Sequence, residues 1–338
     1  MDRLRAVLVG AGAMGKGWAD NLRNSDEVEW VGWADVDADV LKRSQELLDA
    51  PGVDTDTDFL TLIDRHRPDF IVDVTPPEAH RVITTEALAK GVPVLGEKPM
   101  ANSMEAAREM VQAADRAGKL YMVSQSRRYH HGIEAFRQVV RERVGHLAGL
   151  YVDFFLGPRF GGFREEMTSP LLIDMAIHTF DQARFISGQD SVRVYCDEFN
   201  PKHSWFKGNA AANAIFEMAD GSRFMYRGSW VAEGLPTSWE GAWRATGSRG
   251  SATWNGSEFI EADTRNGEEF ERHEARPSPE GYIGSIGGSL REFCHALRTG
   301  ETPNGECHDN IKSLAMVFAA VRSAQVGTPV TIEGDKIS

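Results

Sequence analysis

Cysteine is scarce in this chain, and basic charge is outnumbered. Only Cys196, Cys294 and Cys307 occur in 338 residues, and no two stand at CxxC spacing. An odd, scattered set builds no disulfide framework, so a reducing compartment is expected, the cytoplasm by default. Lys and Arg total 37 against 50 Asp and Glu, a net charge of −13. Nucleic acids and anionic membranes are gripped by clustered cations, so neither is an expected partner. Apolar runs are short and interrupted, well below the ~20 residues that cross a bilayer. The amino end offers only Ala6 to Val9 before a glycine, so secretion through a signal peptide is not expected. What is present is a packed-protein composition, 41% apolar residues with 33 glycines. The length suits about two domains at roughly 150 residues each.

Up to residue 124 the chain alternates apolar runs with helical patterns. Arg5–Val9, Glu29–Ala34, Phe70–Val74, Val92–Leu95 and Leu120–Val123 read as strands. Helical spacing fills Lys16–Asn24, Asp37–Leu48, Phe59–His66 and Glu78–Lys90, the last closed by Gly91. A further helix runs to Ala117 from a capping-box spacing in which Asn102 is the expected cap. Such alternation predicts a parallel sheet covered by helices. Residues 125–338 have another texture. Helices are expected at Gly132–Arg143, Leu171–Ser187, Ser289–Arg298 and His308–Gln325. Strands are expected at Leu150–Leu156 and Val330–Ile332. Between them, Asp220-Gly221, Asn255-Gly256 and Asn266-Gly267 supply the positive-φ residues of tight hairpins and predict an antiparallel meander. No repeat or low-complexity tract interrupts either region.

Gly10-Ala11-Gly12-Ala13-Met14-Gly15 is a GxGxxG between a predicted strand and a predicted helix, the context that gives the motif meaning. Gly10 permits the tight turn, Gly12 lets a pyrophosphate approach the backbone, and Gly15 allows close helix–strand packing. The helix N-terminus then presents unpaired N–H groups to phosphate. Asp35, 20 residues past Gly15, stands where a carboxylate accepts from a ribose diol. It would repel a 2′-phosphate, and Val36 and Asp37 supply no arginine, which favours NAD over NADP.

A second group carries proton chemistry. Lys98, in Gly96-Glu97-Lys98-Pro99, follows a predicted parallel strand, at the sheet end where such folds bind ligands. Burial there would lower its pKa and make it useful against a substrate oxygen; the plain alternative is a surface lysine. Asp174, His178 and Asp181 share one face of a helix by their spacing of four and three. A carboxylate one turn from an imidazole orients it and raises its basicity, although a satisfied polar face has the same spacing. His130-His131, Cys294-His295 and Cys307-His308 invite a metal reading, but no complete ligand set has helpful spacing, and no metal is expected.

Together these motifs resemble the glucose–fructose oxidoreductase / inositol dehydrogenase family, often called Gfo/Idh/MocA. The residues that carry the resemblance are Gly10–Gly15, Thr75-Pro76-Pro77-Glu78-Ala79-His80, Glu97-Lys98-Pro99 and Asp174-Met175-Ala176-Ile177-His178-Thr179-Phe180-Asp181. Thr302-Pro303 and Ser323-Ala324 extend it to the tail. The resemblance implies an N-terminal Rossmann domain (1–124) and an α+β C-terminal domain (125–338) with a large, mostly antiparallel open sheet. It implies a nicotinamide cofactor held along Gly10–Gly15, Asp35, Thr75, Pro76, Pro77, His80, Glu97 and Lys98. Lys98 and His178 would be catalytic, with Asp174 orienting His178. Asp181, Tyr129 and Arg164 would face a small polyhydroxylated substrate, with Arg127 and Arg128 further candidates. A homodimer or homotetramer is the expected assembly. Two other readings share these motifs: an enzyme that holds NAD tightly and uses it transiently, and a non-catalytic nucleotide sensor. One departure stands out. Many members surround the Asp-x-x-x-His with glycines, whereas this chain has Leu171-Leu172-Ile173-Asp174-Met175-Ala176, which alters the substrate side. Arg159–Arg164 is a candidate specificity loop or lid.

Overall fold

The structure, a computed structural model, describes residues 2–280 and 282–338. Its elements run β1 (Leu4–Val9), α1 (Ala13–Arg23), β2 (Val28–Ala34), α2 (Ala38–Leu47), β3 (Asp54–Asp56), α3 (Phe59–His66), β4 (Phe70–Asp73), α4 (Pro77–Ala89), β5 (Val94–Gly96), α5 (Met104–Ala117) and β6 (Tyr121–Val123). There follow α6 (His131–Val139), β7 (Leu147–Phe155), α7 (Phe163–Glu166), α8 (Ile177–Ser187), β8 (Ser191–Phe199), β9 (Ala211–Met218) and β10 (Arg223–Ser229). The chain ends with β11 (Ala242–Gly247), β12 (Gly250–Trp254), β13 (Ile260–Asn266), β14 (Glu269–Ala275), α9 (Ser285–Thr299), α10 (Cys307–Val326), β15 (Val330–Glu333) and β16 (Lys336–Ile337).

One compact unit comprises the chain up to Ser126 together with Ser285–Ile311. Its sheet has the order β3-β2-β1-β4-β5-β6, and each of its strand pairs is parallel. The order reverses between β1 and β4, which opens a crevice at their carboxyl ends. The inner strands are apolar throughout; Ala6, Val7, Leu8, Phe70, Ile71 and Val72 are fully buried. The cap of α5 is Ser103, whose Oγ accepts from Ala106 N at 3.1 Å, rather than the expected Asn102. Residues 285–311 pack here although the linear boundary at 124 assigns them to the second domain. Phe293 of α9 meets Phe70 edge-on at 5.2 Å, and Ser124 donates to Ser289 Oγ at 2.9 Å. These contacts join residues far apart in sequence, which local patterning does not register.

The other unit comprises Arg127–Gly284 and Lys312–Ser338. Its ten strands run β14-β13-β12-β11-β7-β10-β9-β8-β15-β16. Pairing is antiparallel except between β7 and β10. The three hairpin signals fall where expected: Gly221, Gly256 and Gly267 take φ of +85°, +75° and +66° in the β9–β10, β12–β13 and β13–β14 connections. Helix α8 covers one sheet face, where Phe180 packs against Phe216 at 4.7 Å and Tyr226 at 5.3 Å. Apolar residues remain on the opposite face, including the cross-strand pair Tyr195 and Ile215.

Candidate active site

The glycine loop of the first unit divides its roles by position. Gly10 has φ +107°, and a Cβ there would lie 2.9 Å from the Val74 carbonyl oxygen. A Cβ on Gly15 would lie 2.2 Å from the Gly10 carbonyl oxygen. Both glycines are therefore required by the protein's own packing. Gly12 differs: a Cβ there meets no described atom within 4 Å. Gly12 is also the N-cap of α1, no side chain caps the helix, and its first turn carries no acid. Ala13 and Met14 are exposed beside it. The open amides and clear approach fit a pyrophosphate, and nothing in the first turn repels one. Asp35 Oδ2 accepts from Ala11 N at 2.7 Å, which fixes the acid against the loop where a ribose diol would be met. Asp35 Oδ1 accepts from Asp37 N at 2.9 Å.

The ends of β4 and β5 are tied together by buried polar side chains. His80 lies with Nε2 2.7 Å from the Thr75 carbonyl and Nδ1 3.1 Å from that of Pro99. Thr75 Oγ1 donates to Asp73 at 2.7 Å. Glu97 accepts from the Trp18 indole N–H at 2.8 Å and from Lys98 N at 3.0 Å, and burial pushes its pKa up. His80 and Glu97, expected along the cofactor, thus serve to brace Thr75-Pro76-Pro77 and Lys98 between α1, β4 and β5. Lys98 itself is half-buried.

In the second unit the expected single helix Leu171–Ser187 is two. Leu171–Ala176 is π-helical and α8 begins at Ile177. Asp174 thus lies in the π segment and Asp181 in α8. Asp174 and Asp181 meet different partners. Asp174 Oδ2 accepts from Arg164 Nε at 2.6 Å, and Arg164 stacks on Phe163 and Phe160 at 4.7 and 5.2 Å. Asp181 is 1% exposed and takes both Nε and Nη2 of Arg128 at 2.7 Å, with Ser313 Oγ donating at 2.7 Å. The carboxylate expected to face substrate is thus enclosed by Arg128 and Ser313. His178, in the first turn of α8, is 8% exposed. Tyr129 ends a 3₁₀ turn, Ser126–Tyr129, and is half-buried.

Sequence patterning misses one pair near Asp174. Arg127 stands 3.6 Å from Glu240, both about seven-eighths buried, and its Nη2 lies 3.5 Å from Met175 Sδ. Gln182 donates to Glu240 at 2.6 Å. Burial holds Arg127 below the usual guanidinium range and His130 below the usual imidazole range. Glu240 lies in a loop over a hundred residues from its partner, and no local signal marks it. Glu306, Cys307 and His308 bring three ligand-type atoms within 4.8 Å of one another. The three are hydrogen-bonded to one another, and burial pushes the Cys307 thiol up. Among the described residues no helix is long and apolar enough to cross a membrane.

Comparison with known proteins agrees with this architecture. The oxidoreductase family with an NAD-binding Rossmann fold, GFO/IDH/MocA, matches residues 4–125, and the C-terminal domain of the same family matches residues 104–253. D-apiose dehydrogenase of Paraburkholderia graminis is 25% identical over 98% of this chain and 91% of its own. Inositol 2-dehydrogenase of an Arthrobacter species is 30% identical over 57% of each chain. Among solved structures, an oxidoreductase from Agrobacterium radiobacter, in complex with NAD+, L-tartaric acid and magnesium, superposes with a TM-score of 0.88. It covers 98% of both chains at 22% identity, a likeness of fold. The glycine loop, the Glu97-Lys98-Pro99 strand end, the ten-stranded sheet and these matches place the chain in the GFO/IDH/MocA family of NAD-binding oxidoreductases.

Proposed function

We propose that the protein oxidises a secondary alcohol of a sugar, cyclitol or related polyol with NAD, or runs the reverse reduction. The observation that carries this reading is the open backbone at Gly12 on an uncapped helix N-terminus, with Asp35 fixed beside it. Gly10, Gly12, Ala13, Met14 and Gly15 would cradle the pyrophosphate, Asp35 the adenosine ribose, and Thr75, Pro76 and Pro77 the path towards the nicotinamide. His80 and Glu97 hold that path and Lys98 in place. An acid at Asp35, with no arginine at 36 or 37, supports NAD over NADP. The dehydrogenase relatives named above support a polyol.

Bound NAD would supply the hydride acceptor, at its nicotinamide ring. As the C–H hydrogen leaves with its electron pair, the hydroxyl proton must also leave. His178 takes it as general base, and Asp174 stabilises the resulting imidazolium. Lys98 would donate to a substrate oxygen and lower the cost of negative charge there. Tyr129 and Arg164 orient the remaining hydroxyls. Apolar side chains on the outer sheet face support self-association as a homodimer or homotetramer, and three buried free thiols suit the cytoplasm.

The test is absorbance at the NADH band with purified protein and a panel of sugars, inositols and sugar acids, run in parallel with NADP. Reduction of NAD in preference to NADP by at least one polyol is expected. A silent panel with both cofactors would overturn the proposal.

A further inference from the structure

Glu306, Cys307 and His308 lie outside the proposed active site, at the start of α10 and wholly within the first unit. Sequence spacing offers Cys307-His308 without a third ligand; folding supplies one by turning Glu306 back over both. Cys307 Sγ donates to Glu306 Oε1 at 3.0 Å, His308 Nδ1 lies 2.8 Å from the same oxygen, and Sγ and Nδ1 are 3.5 Å apart. The three atoms form a triangle. A zinc-sized ion, with metal–ligand bonds of about 2.0–2.3 Å, holds tetrahedral ligand atoms about 3.3–3.6 Å apart. The sulfur–nitrogen side already has that length, and the other two sides need to open by about half an ångström. Thiolate and imidazole are softer donors than water or carbonyl oxygen, so the set favours zinc over magnesium and calcium. The thiolate and the Glu306 carboxylate together balance a divalent charge.

The frame around the triangle is fixed from several sides. The Gly305 carbonyl accepts from Val123 N at 2.8 Å, and Glu306 bridges Met122 of β6. Gly305 has φ +84°, and a Cβ there would lie 2.5 Å from the Val123 carbonyl oxygen, so the turn is fitted closely to β6. Glu306 Oε2 accepts from His308 N at 3.0 Å, which turns Oε1 towards the thiol and the imidazole. Behind the triangle, Asp115 Oδ1 of α5 stands 3.0 Å from His308 Nε2. A carboxylate on the far nitrogen orients the ring and leaves Nδ1 to coordinate, the arrangement that backs metal-bound imidazoles. Cys307 is fully buried and Glu306 partly so, whereas His308 is exposed, which sets the side from which an ion and a fourth, water ligand arrive.

We infer that Glu306, Cys307 and His308 bind one divalent cation of the zinc class, with Asp115 positioning His308 and water as the fourth ligand. As the metal–sulfur bond forms, the thiol proton passes to solvent. The bound ion ties the start of α10 to α5 through His308 and Asp115, a structural role separate from the hydride chemistry.

The experiment takes the full chain without an affinity tag, frees it of metal with a chelator, and titrates zinc by calorimetry and cobalt(II) by absorbance. One zinc per chain is expected, with a Kd of about 1 µM or tighter that excess magnesium does not weaken. One cobalt should bind with the strong visible bands of a tetrahedral complex and a near-ultraviolet thiolate-to-cobalt band. Cys307→Ser should abolish the thiolate band. Because Cys307 is buried, His308→Ala at an exposed position is the second variant; it should weaken zinc binding by about 100-fold or more with the circular dichroism spectrum unchanged. Asp115→Asn should weaken zinc by about tenfold and keep the thiolate band. Zinc should raise the thermal unfolding midpoint of the unaltered protein and leave that of His308→Ala unmoved. Absence of one-to-one zinc uptake overturns the inference. So does a cobalt complex without the thiolate band, or zinc affinity undiminished in His308→Ala.

Discussion

The two units assemble their functional groups from different material. In the first, the site is backbone: a glycine turn, open amides at the start of α1, and the carbonyls of Thr75 and Pro99 held by His80. In the second, the candidate site is side chains in opposite-charge pairs contributed by separate segments, Arg164 with Asp174 and Arg127 with Glu240. A backbone site is written in consecutive residues and tolerates few sizes. A paired site depends on partners brought together by folding, and its chemistry changes when one partner does. The first arrangement suits a cofactor of constant shape, the second a substrate that varies between relatives.

The sharpest way to break that division is to remove one proton-handling group from each unit. Lys98→Ala and His178→Ala should each lower kcat by about 10²–10⁴-fold. NAD affinity, measured by calorimetry, should stay nearly constant in both. Loss of NAD binding in His178→Ala would contradict the assignment of the cofactor to the first unit.

Next in size is the contrast between two ion pairs of the second unit. Arg128→Ala strands the Asp181 carboxylate in the interior and should cost about 3–5 kcal/mol of stability in urea unfolding. Arg164→Ala, at a pair one-third exposed on the arginine side, should cost about 1 kcal/mol or less yet depress kcat/KM. Equal stability losses would erase the distinction between structural and substrate-side pairs.

The glycine loop gives a smaller, sharper contrast. Gly15→Ala forces a Cβ onto the Gly10 carbonyl and should cost about 1–3 kcal/mol. Gly12→Ala meets open space, so stability should change by under about 0.5 kcal/mol while NAD affinity falls. Unchanged NAD affinity in Gly12→Ala would remove the pyrophosphate from this loop.

The smallest effect concerns Glu198 on β8, which accepts from Ser169 at 2.9 Å and whose pKa burial raises to about 7. A carboxyl raised above its unfolded value contributes stability below the unfolded pKa and loses it as pH rises through the folded one. Between pH 5 and 8 the protein should therefore lose about 1–2 kcal/mol from this group, allowing for its partial exposure. Glu198→Gln should flatten that slope in thermal unfolding, and an unchanged slope would refute the assignment.

The same contrast explains what the sequence made legible. Gly10, Gly15 and the three hairpin glycines announce themselves because a positive φ or a missing Cβ is a local requirement. Helix 171–187 was legible as helix, but its π opening was not, since nothing in Leu171–Ala176 alone dictates i→i+5 bonding. Asp181 looked like a functional acid by spacing; only the arrival of Arg128 and Ser313 shows it closed. Glu240 carried no signal at all, because its partner Arg127 lies across the fold of its unit.

The most direct measurement follows the transferred hydrogen itself. A polyol deuterated at its reacting carbinol carbon is incubated with the protein and NAD, and the reduced cofactor is examined by mass spectrometry. Deuterium in the nicotinamide ring is the expected result, with a slower rate than for the unlabelled alcohol. Reduced cofactor without the label, or no reduction by any deuterated polyol tested, would contradict hydride transfer as the protein's chemistry.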